Sequence, residues 1–138
     1  MKKLACLALA MTALAWWSVN TNAQVKKGKT RSASTKQLMA GLVKPNCAGL
    51  GEALKAAPAD DKAWEALATQ AALLNETSYL LMDDGRCPDG VWAGAAKTLR
   101  EGSAELLAKL EAKDYAAAQT AFQSVTKSCG ECHKAHKK

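Results

Sequence analysis

The sequence predicts an all-α protein whose four helices form an antiparallel up-and-down bundle. Apolar residues recur at spacings of three and four through four consecutive segments, and no segment shows the alternating pattern of a β-strand. Capping residues, glycines and prolines lie between the segments and leave short connections, which favour antiparallel neighbours. A hydrophobic fraction of 49% is enough to form one core in a chain of 138 residues.

The first predicted helix, over about 34–56, has the least regular sequence of the four. Gly41, Gly49 and Gly51 lower its helical propensity. Pro45 removes a backbone donor, so we expect a kink or a restart of the helix there. The predicted inward positions are Met39, Val43, Cys47, Leu50 and Leu54.

Three more regular helices follow. The second is expected to open at Asp60 or Asp61 and to stop before Gly85, the third to span 89–112, and the fourth to open at Asp114 as its N-cap. In each, the apolar spacing places the inward residues on one face. These residues are Trp64, Leu67, Ala71, Leu74, Ser78 and Leu81 in the second helix, Trp92, Leu99, Ser103, Leu106 and Leu110 in the third, and Tyr115, Ala118, Phe122, Val125, Cys129 and Cys132 in the fourth.

Two stretches precede the first helix. Residues 1–23 have a basic start, an apolar run and a small residue, Ala23, at the expected cleavage point, which is typical of a secretory signal peptide. The apolar run is too short to span a bilayer comfortably, and no later segment is apolar enough to do so. We therefore expect an exported protein with no membrane span in its mature form, with a flexible basic lead-in over 24–33 and one domain over 34–138.

The positive charge of the chain is concentrated at its ends. The formal net charge is +6, yet residues 37–126 carry eight basic and twelve acidic residues. Residues 24–36 carry five basic residues and no acidic one, and 127–138 carry four basic residues and one acidic one. An exported chain with an acidic middle is not suited to binding nucleic acid. The basic ends are either solvated tails or a docking surface for an acidic partner.

The most specific pattern lies near the C-terminus, where Cys129, Gly130, Glu131, Cys132 and His133 form a C-x-x-C-H motif. This is the attachment signature of a c-type haem. The two thiols would add to the haem vinyl groups as thioethers, and the histidine would give the iron its proximal nitrogen ligand. Both cysteines continue the inward face of the fourth helix, so a haem attached there would lie against the interior of the bundle.

Two other uses of a C-x-x-C pair stay open at this point. A redox dithiol is expected in a βαβ context, of which the C-terminal half shows no sign. A closed zinc site needs four ligands, and only Cys47, Cys87 and His136 could complete it. If haem takes the motif cysteines, we expect a Cys47–Cys87 disulfide in an oxidising compartment, with two buried free thiols as the alternative. His136 is then expected to be a solvated surface histidine.

On this motif, together with Leu38-Met39 in the first helix and the count of four helices, the chain resembles the class II c-type cytochromes, the cytochrome c-prime family. The resemblance covers about 34–137. It implies one haem c per chain near the C-terminus of the last helix, attached outside the cytoplasmic membrane, and hence a periplasmic location. Cys47, Cys87 and the proline in the first helix depart from the family pattern.

The two branches of this family differ at the sixth position of the iron. In one branch a methionine of the first helix fills it and the protein carries electrons; in the other an apolar residue shields a five-coordinate iron that binds small gases. Met39 is the predicted ligand, because antiparallel helices place it at a depth similar to that of His133. Met82 is the second candidate, and Leu38 is the distal apolar residue of the five-coordinate alternative.

Together these expectations describe a periplasmic monohaem c-type cytochrome that transfers electrons. The alternative is a five-coordinate protein, similar to cytochrome c-prime, that binds nitric oxide or carbon monoxide. An enzyme is not expected, because no distal histidine–arginine pair can be placed near the iron. We expect a redox partner with an acidic docking surface, and the sequence leaves open whether the protein is a monomer or a homodimer.

Overall fold

The computed structural model describes residues 28–137, which form an all-helical bundle of four helices. The predicted signal peptide and the first part of the lead-in lie outside the described residues. The first helix, α1, consists of three contiguous stretches, Thr35–Leu38, Met39–Val43 and Lys44–Ala53. The other three are α2 over Asp61–Met82, α3 over Gly90–Glu111 and α4 over Tyr115–His136.

The irregularity expected in α1 takes the form of a π-helical stretch, Met39–Val43, which Lys44 separates from Pro45. Proline has no N–H for the usual bond to the carbonyl four residues earlier, and a wider turn absorbs that loss without ending the helix. The side-chain amide of Asn46 donates to the carbonyl of Leu42 at 2.7 Å, which satisfies one acceptor in this region. The helix therefore continues through the proline to Ala53 instead of restarting.

The starts of the other three helices agree with the sequence prediction. Asp60, Asp89 and Asp114 are the N-caps, and each carboxylate accepts a hydrogen bond from the backbone N–H three residues on, at 2.8, 2.9 and 3.0 Å. After α2 the backbone turns through the left-handed region at Asp84 (φ 60°) and Gly85 (φ 73°), a conformation that glycine adopts without strain. This turn reverses the chain into α3.

Contacts at the end distant from this turn show that neighbouring helices run antiparallel. Lys113 Nζ, after the end of α3, lies 2.8 Å from Asp61 Oδ1 at the start of α2. The Tyr115 hydroxyl, at the start of α4, donates to the carbonyl of Leu54 just past α1, at 3.0 Å. The C-terminus of α4 and the N-terminus of α1 consequently lie together at the opposite end, beside the α2–α3 loop.

The core occupies the faces that the apolar spacing predicted, and all of the predicted inward positions are buried or half-buried. Trp92 is 1% exposed, and its indole N–H donates to the carbonyl of Leu81 at 2.8 Å, which joins the start of α3 to the end of α2. None of the helices within 28–137 has the length and apolar content needed to cross a membrane.

The residues just before α1 are hydrogen-bonded to the α2–α3 loop. The carboxylate of Asp84 accepts from the backbone N–H of Thr30 at 2.8 Å and of Arg31 at 2.9 Å. Arg86, which is 1% exposed, donates to the carbonyl of Ala33 at 3.0 Å and lies 3.6 Å from Asp84. These bonds join the described part of the lead-in to the α2–α3 loop, and the flexibility expected of the lead-in stays a prediction. Composition alone could not show that a distant carboxylate accepts these backbone donors.

Candidate cofactor site

The C-x-x-C-H motif lies in the last two turns of α4. Cys129, Cys132 and His133 are half-buried there, while Gly130 and Glu131 are exposed. Spacings of three and four place the two thiols and the imidazole on the same side of the helix. That side continues the buried stripe through Val125, so the motif faces the bundle as the sequence predicted.

Two cavities meet at the motif. A groove of about 640 Å³ lies between α1 and α4, and a smaller cavity of about 30 Å³ lies inside the bundle. Both are lined by Cys129 and His133, and the walls are otherwise mainly apolar. The groove is further lined by Lys36, Met39, Ala40, Val43, Lys44, Cys47, Ala48, Gly51, Phe122, Thr126 and Lys137, and the inner cavity by Met39, Val43, Leu81, Trp92, Ala95, Ala96, Leu99, Ser128 and Cys132.

Met39 is the candidate distal ligand that the structure brings to the motif. It lines both cavities together with His133. Met82 is not among the residues that line either cavity, and neither is Leu38, which is 7% exposed and packs in the core. Val43 lines both cavities, so Val43 is better placed than Leu38 to be the distal apolar residue.

The structure does not join Cys47 to Cys87. All four cysteines within 28–137 are free thiols, and Cys47 interacts with Cys129 across the groove. Cys87 Sγ instead lies 3.4 Å from the carbonyl oxygen of Asp89. The reason is the unbroken course of α1, which carries Cys47 about 18 Å along the helix axis from its start, away from the α2–α3 loop. The predicted Cys47–Cys87 disulfide is thus absent from this structure.

The contact between Cys47 and Cys129 distinguishes the two motif thiols. A hydrogen bond with Cys47 stabilises the Cys129 thiolate and lowers the pKa of Cys129 to about 7, and Ser128 contributes a second hydrogen bond. The same contact, followed by burial, raises the pKa of Cys47. Burial raises the pKa of Cys132 to about 11. Cys129 is therefore the motif thiol that ionises more readily near neutral pH.

His133 is suited to bind a metal through a neutral imidazole. Its pKa is lowered, first by burial and then by the positive charge of Lys137. A lowered pKa keeps the ring unprotonated at neutral pH, with a nitrogen lone pair available. The histidine therefore needs no change of protonation state to act as a ligand under these conditions.

His136 is buried, which corrects the expectation of a solvated surface histidine. It is 3% exposed, its ring meets that of Trp92 edge-on with centroids 5.3 Å apart, and its Nε2 lies 3.4 Å from Asp89 Oδ1. Neither ring nitrogen makes a hydrogen bond to another described residue. His136 lies four residues after Cys132 and so continues the inward face of α4 by one turn. This spacing could have predicted its burial.

These residues fit a covalently attached haem. The Cys129 thiol, a neutral imidazole and a thioether from Met39 share one mainly apolar groove, whose volume is within the range of cofactor sites, and Cys132 lines the adjoining inner cavity. Three lysines on its rim match the negative charge of haem propionates. Within residues 28–137, no three His, Cys, Asp or Glu side chains converge as a metal-binding group, so the ligands of a closed zinc site are not assembled.

Comparisons with protein-family models, with curated proteins and with solved structures find no match to this chain. Its function has to be inferred from its own residues. The residues that carry the inference are the three of the motif, at the end of α4, and Met39, on the π-helical stretch of α1.

Proposed function

We propose that the protein is an exported, periplasmic monohaem c-type cytochrome that transfers electrons. The observation that carries this proposal is the shared groove, in which Met39 lies with the thiol of Cys129 and the imidazole of His133. Cys129 and Cys132 would hold one haem c near the C-terminus of α4, with His133 as proximal and Met39 as distal ligand. The iron, when bound, supplies the one-electron redox couple.

The remaining residues of the groove would set the polarity and the charge around the haem. Val43 and Phe122 exclude water from its walls, which lowers the local dielectric constant. Ligands from two helices of the bundle would keep the coordination shell unchanged between oxidation states, which suits electron transfer. Lys36, Lys44 and Lys137 at the rim would face anionic groups, either the propionates or the surface of an acidic partner.

Covalent attachment is tested by producing the full chain with a haem-attachment system and extracting the purified protein with acidic organic solvent. We expect the colour to remain with the protein, and to be lost when Cys129 and Cys132 are both replaced by serine. Cys87→Ser is the matched control and should retain the colour. Pigment that leaves with the solvent would contradict the proposal.

The five-coordinate, gas-binding alternative is supported by one feature, the apolar side chain of Val43 in both cavities. Optical spectra of the ferric and ferrous protein, with and without carbon monoxide, separate the two functions. A low-spin spectrum that carbon monoxide leaves unchanged supports electron transfer. A high-spin spectrum that shifts on adding carbon monoxide supports gas binding.

A further inference from the structure

Cys47 is a third cysteine at the attachment site, beyond the two of the motif. It is half-buried on α1 and lines the same groove as Cys129. The two thiols lie close enough for each to shift the pKa of the other, although they are 82 positions apart in the sequence. The proposed haem attachment uses Cys129 and Cys132 but not Cys47, so the position of Cys47 beside Cys129 has no role in that attachment.

Of the other three thiols within 28–137, Cys47 is the one that lines the groove together with Cys129. Cys132 belongs to the motif but lines the inner cavity and not the groove. Cys87 is placed in the α2–α3 loop, beside Asp89. Two thiols that line one groove from facing helices are placed for joining by thiol–disulfide exchange, in which a thiolate attacks a disulfide sulfur.

We propose that Cys47 and Cys129 form a disulfide in the haem-free protein, so that Cys47 is a redox site that withholds the first thiol of the motif until it is reduced. The disulfide itself follows from the contact between the thiols. Its effect on haem loading rests on the proposed function. The bond would also link α1 to α4 across the open groove, before any cofactor holds those two helices together.

The reaction needs a small-molecule disulfide as oxidant. The Cys129 thiolate attacks one of its sulfurs to give a mixed disulfide and releases one small thiol. Cys47, losing its proton, then attacks Cys129 sulfur and releases the second. Two S–H bonds of the protein are replaced by one S–S bond, and the two electrons and two protons reduce the oxidant to two thiols. Before a thioether can form at Cys129, an external thiol must reverse this exchange.

The linkage is tested on the full chain made without a haem-attachment system, reduced, and then incubated with oxidised and reduced glutathione. Remaining thiols are blocked with N-ethylmaleimide, and the protein is digested with trypsin and a glutamate-specific protease. Cleavage after Glu131 separates Cys129 from Cys132, so mass spectrometry assigns each partner. We expect a Cys47–Cys129 peptide pair, lighter by two hydrogens than the two reduced peptides. Cys87→Ser should leave it unchanged, and Cys47→Ser should abolish it.

Three results would overturn the proposal: a dominant Cys129–Cys132 bond, a dominant Cys47–Cys87 bond, or blocked thiols at Cys47, Cys87, Cys129 and Cys132 with no linkage between them. The effect on loading is a separate measurement. If haem attaches, wild-type loading should need a reductant, whereas Cys47→Ser should load to a similar yield with less of it. A chain that never binds haem but forms the Cys47–Cys129 bond would refute the proposed function and leave the disulfide standing.

Discussion

At the residue scale, Met39 separates the two candidate functions, because it lies with His133 in both cavities while the other methionine within 28–137 lines neither of them. In the haem-loaded protein we expect Met39→Ala to remove the low-spin spectrum entirely and to create carbon monoxide binding, since the sixth position would be open. Met82→Ala is the matched control and should leave the spectrum unchanged. A low-spin spectrum that survives Met39→Ala would identify Met82 or a lysine as the ligand.

Cys129 provides a prediction about pH in the reduced, haem-free protein. Its pKa is lowered to about 7, so its alkylation by iodoacetamide should reach half of its maximal rate near that pH and rise as pH increases through it. Cys47→Ala removes the hydrogen bond that stabilises the thiolate. If the pKa then returns to its ordinary value of 9.0, the rate at pH 7 should fall about fifty-fold. An equal rate in Cys47→Ala and in the Cys87→Ala control would contradict the contact between Cys47 and Cys129.

At the scale of elements, the α2–α3 loop holds the segment before α1 through Asp84. Backbone hydrogen bonds from Arg31 and Thr30 lower the pKa of Asp84. A carboxylate with a lowered folded-state pKa contributes stability that is fully present above its ordinary pKa of 3.8 and is lost as pH falls through the folded-state value. We therefore expect acid below about pH 4 to release this segment while the helices persist.

The same release should follow at neutral pH from Asp84→Ala, which removes both acceptor oxygens. Limited digestion with trypsin reports it, because cleavage after Lys29 and Arg31 requires an unbound backbone. We expect faster cleavage there in the variant with little change in helical circular dichroism. Asp83→Ala, at the neighbouring exposed position, is the matched control and should be cleaved at the wild-type rate.

The elements themselves could be predicted from the sequence more fully than the site. Each of the last three helices begins after an aspartate N-cap, and this signal is local, so the predicted starts are confirmed. Cys47 and Cys129 belong to different helices, and their contact depends on how far α1 is rotated about its own axis. That rotation is set by packing and by the π-helical stretch, neither of which the hydrophobic spacing specifies. The burial of His136, by contrast, could have been predicted from its spacing.

At the scale of the whole molecule, the two basic ends of the described chain meet at the end of the bundle that carries the motif. The segment before α1 is bound to Asp84, and His136, at the end of α4, lies against Asp89. Together with the lysines on the rim of the groove, these segments would form the docking surface for an acidic redox partner.

If this surface steers the partner, the bimolecular electron-transfer rate should fall on the order of tenfold as salt shortens the Debye length. The measurement is stopped-flow mixing with an acidic redox protein over a range of ionic strength. Replacing Lys36, Lys44 and Lys137 together by glutamine should flatten that dependence, and a neutral small-molecule reductant is the control. A salt-independent rate in the wild type would mean that the basic ends are only solvated.

The π-helical stretch of α1 also has a geometric consequence for the groove. In a regular α-helix a residue turns by about 100°, so positions eight apart, such as Met39 and Cys47, would point about 80° away from each other. The wider π turn rotates less per residue and brings the two side chains closer in phase, and both line the groove. The π-helical stretch therefore accommodates one extra residue between the thioether and the thiol. Deleting the exposed Ala40 would leave Met39 and Cys47 seven positions apart, about 20° from two full turns of a regular α-helix, so we expect the deletion to restore α-helical geometry and to keep both side chains at the groove.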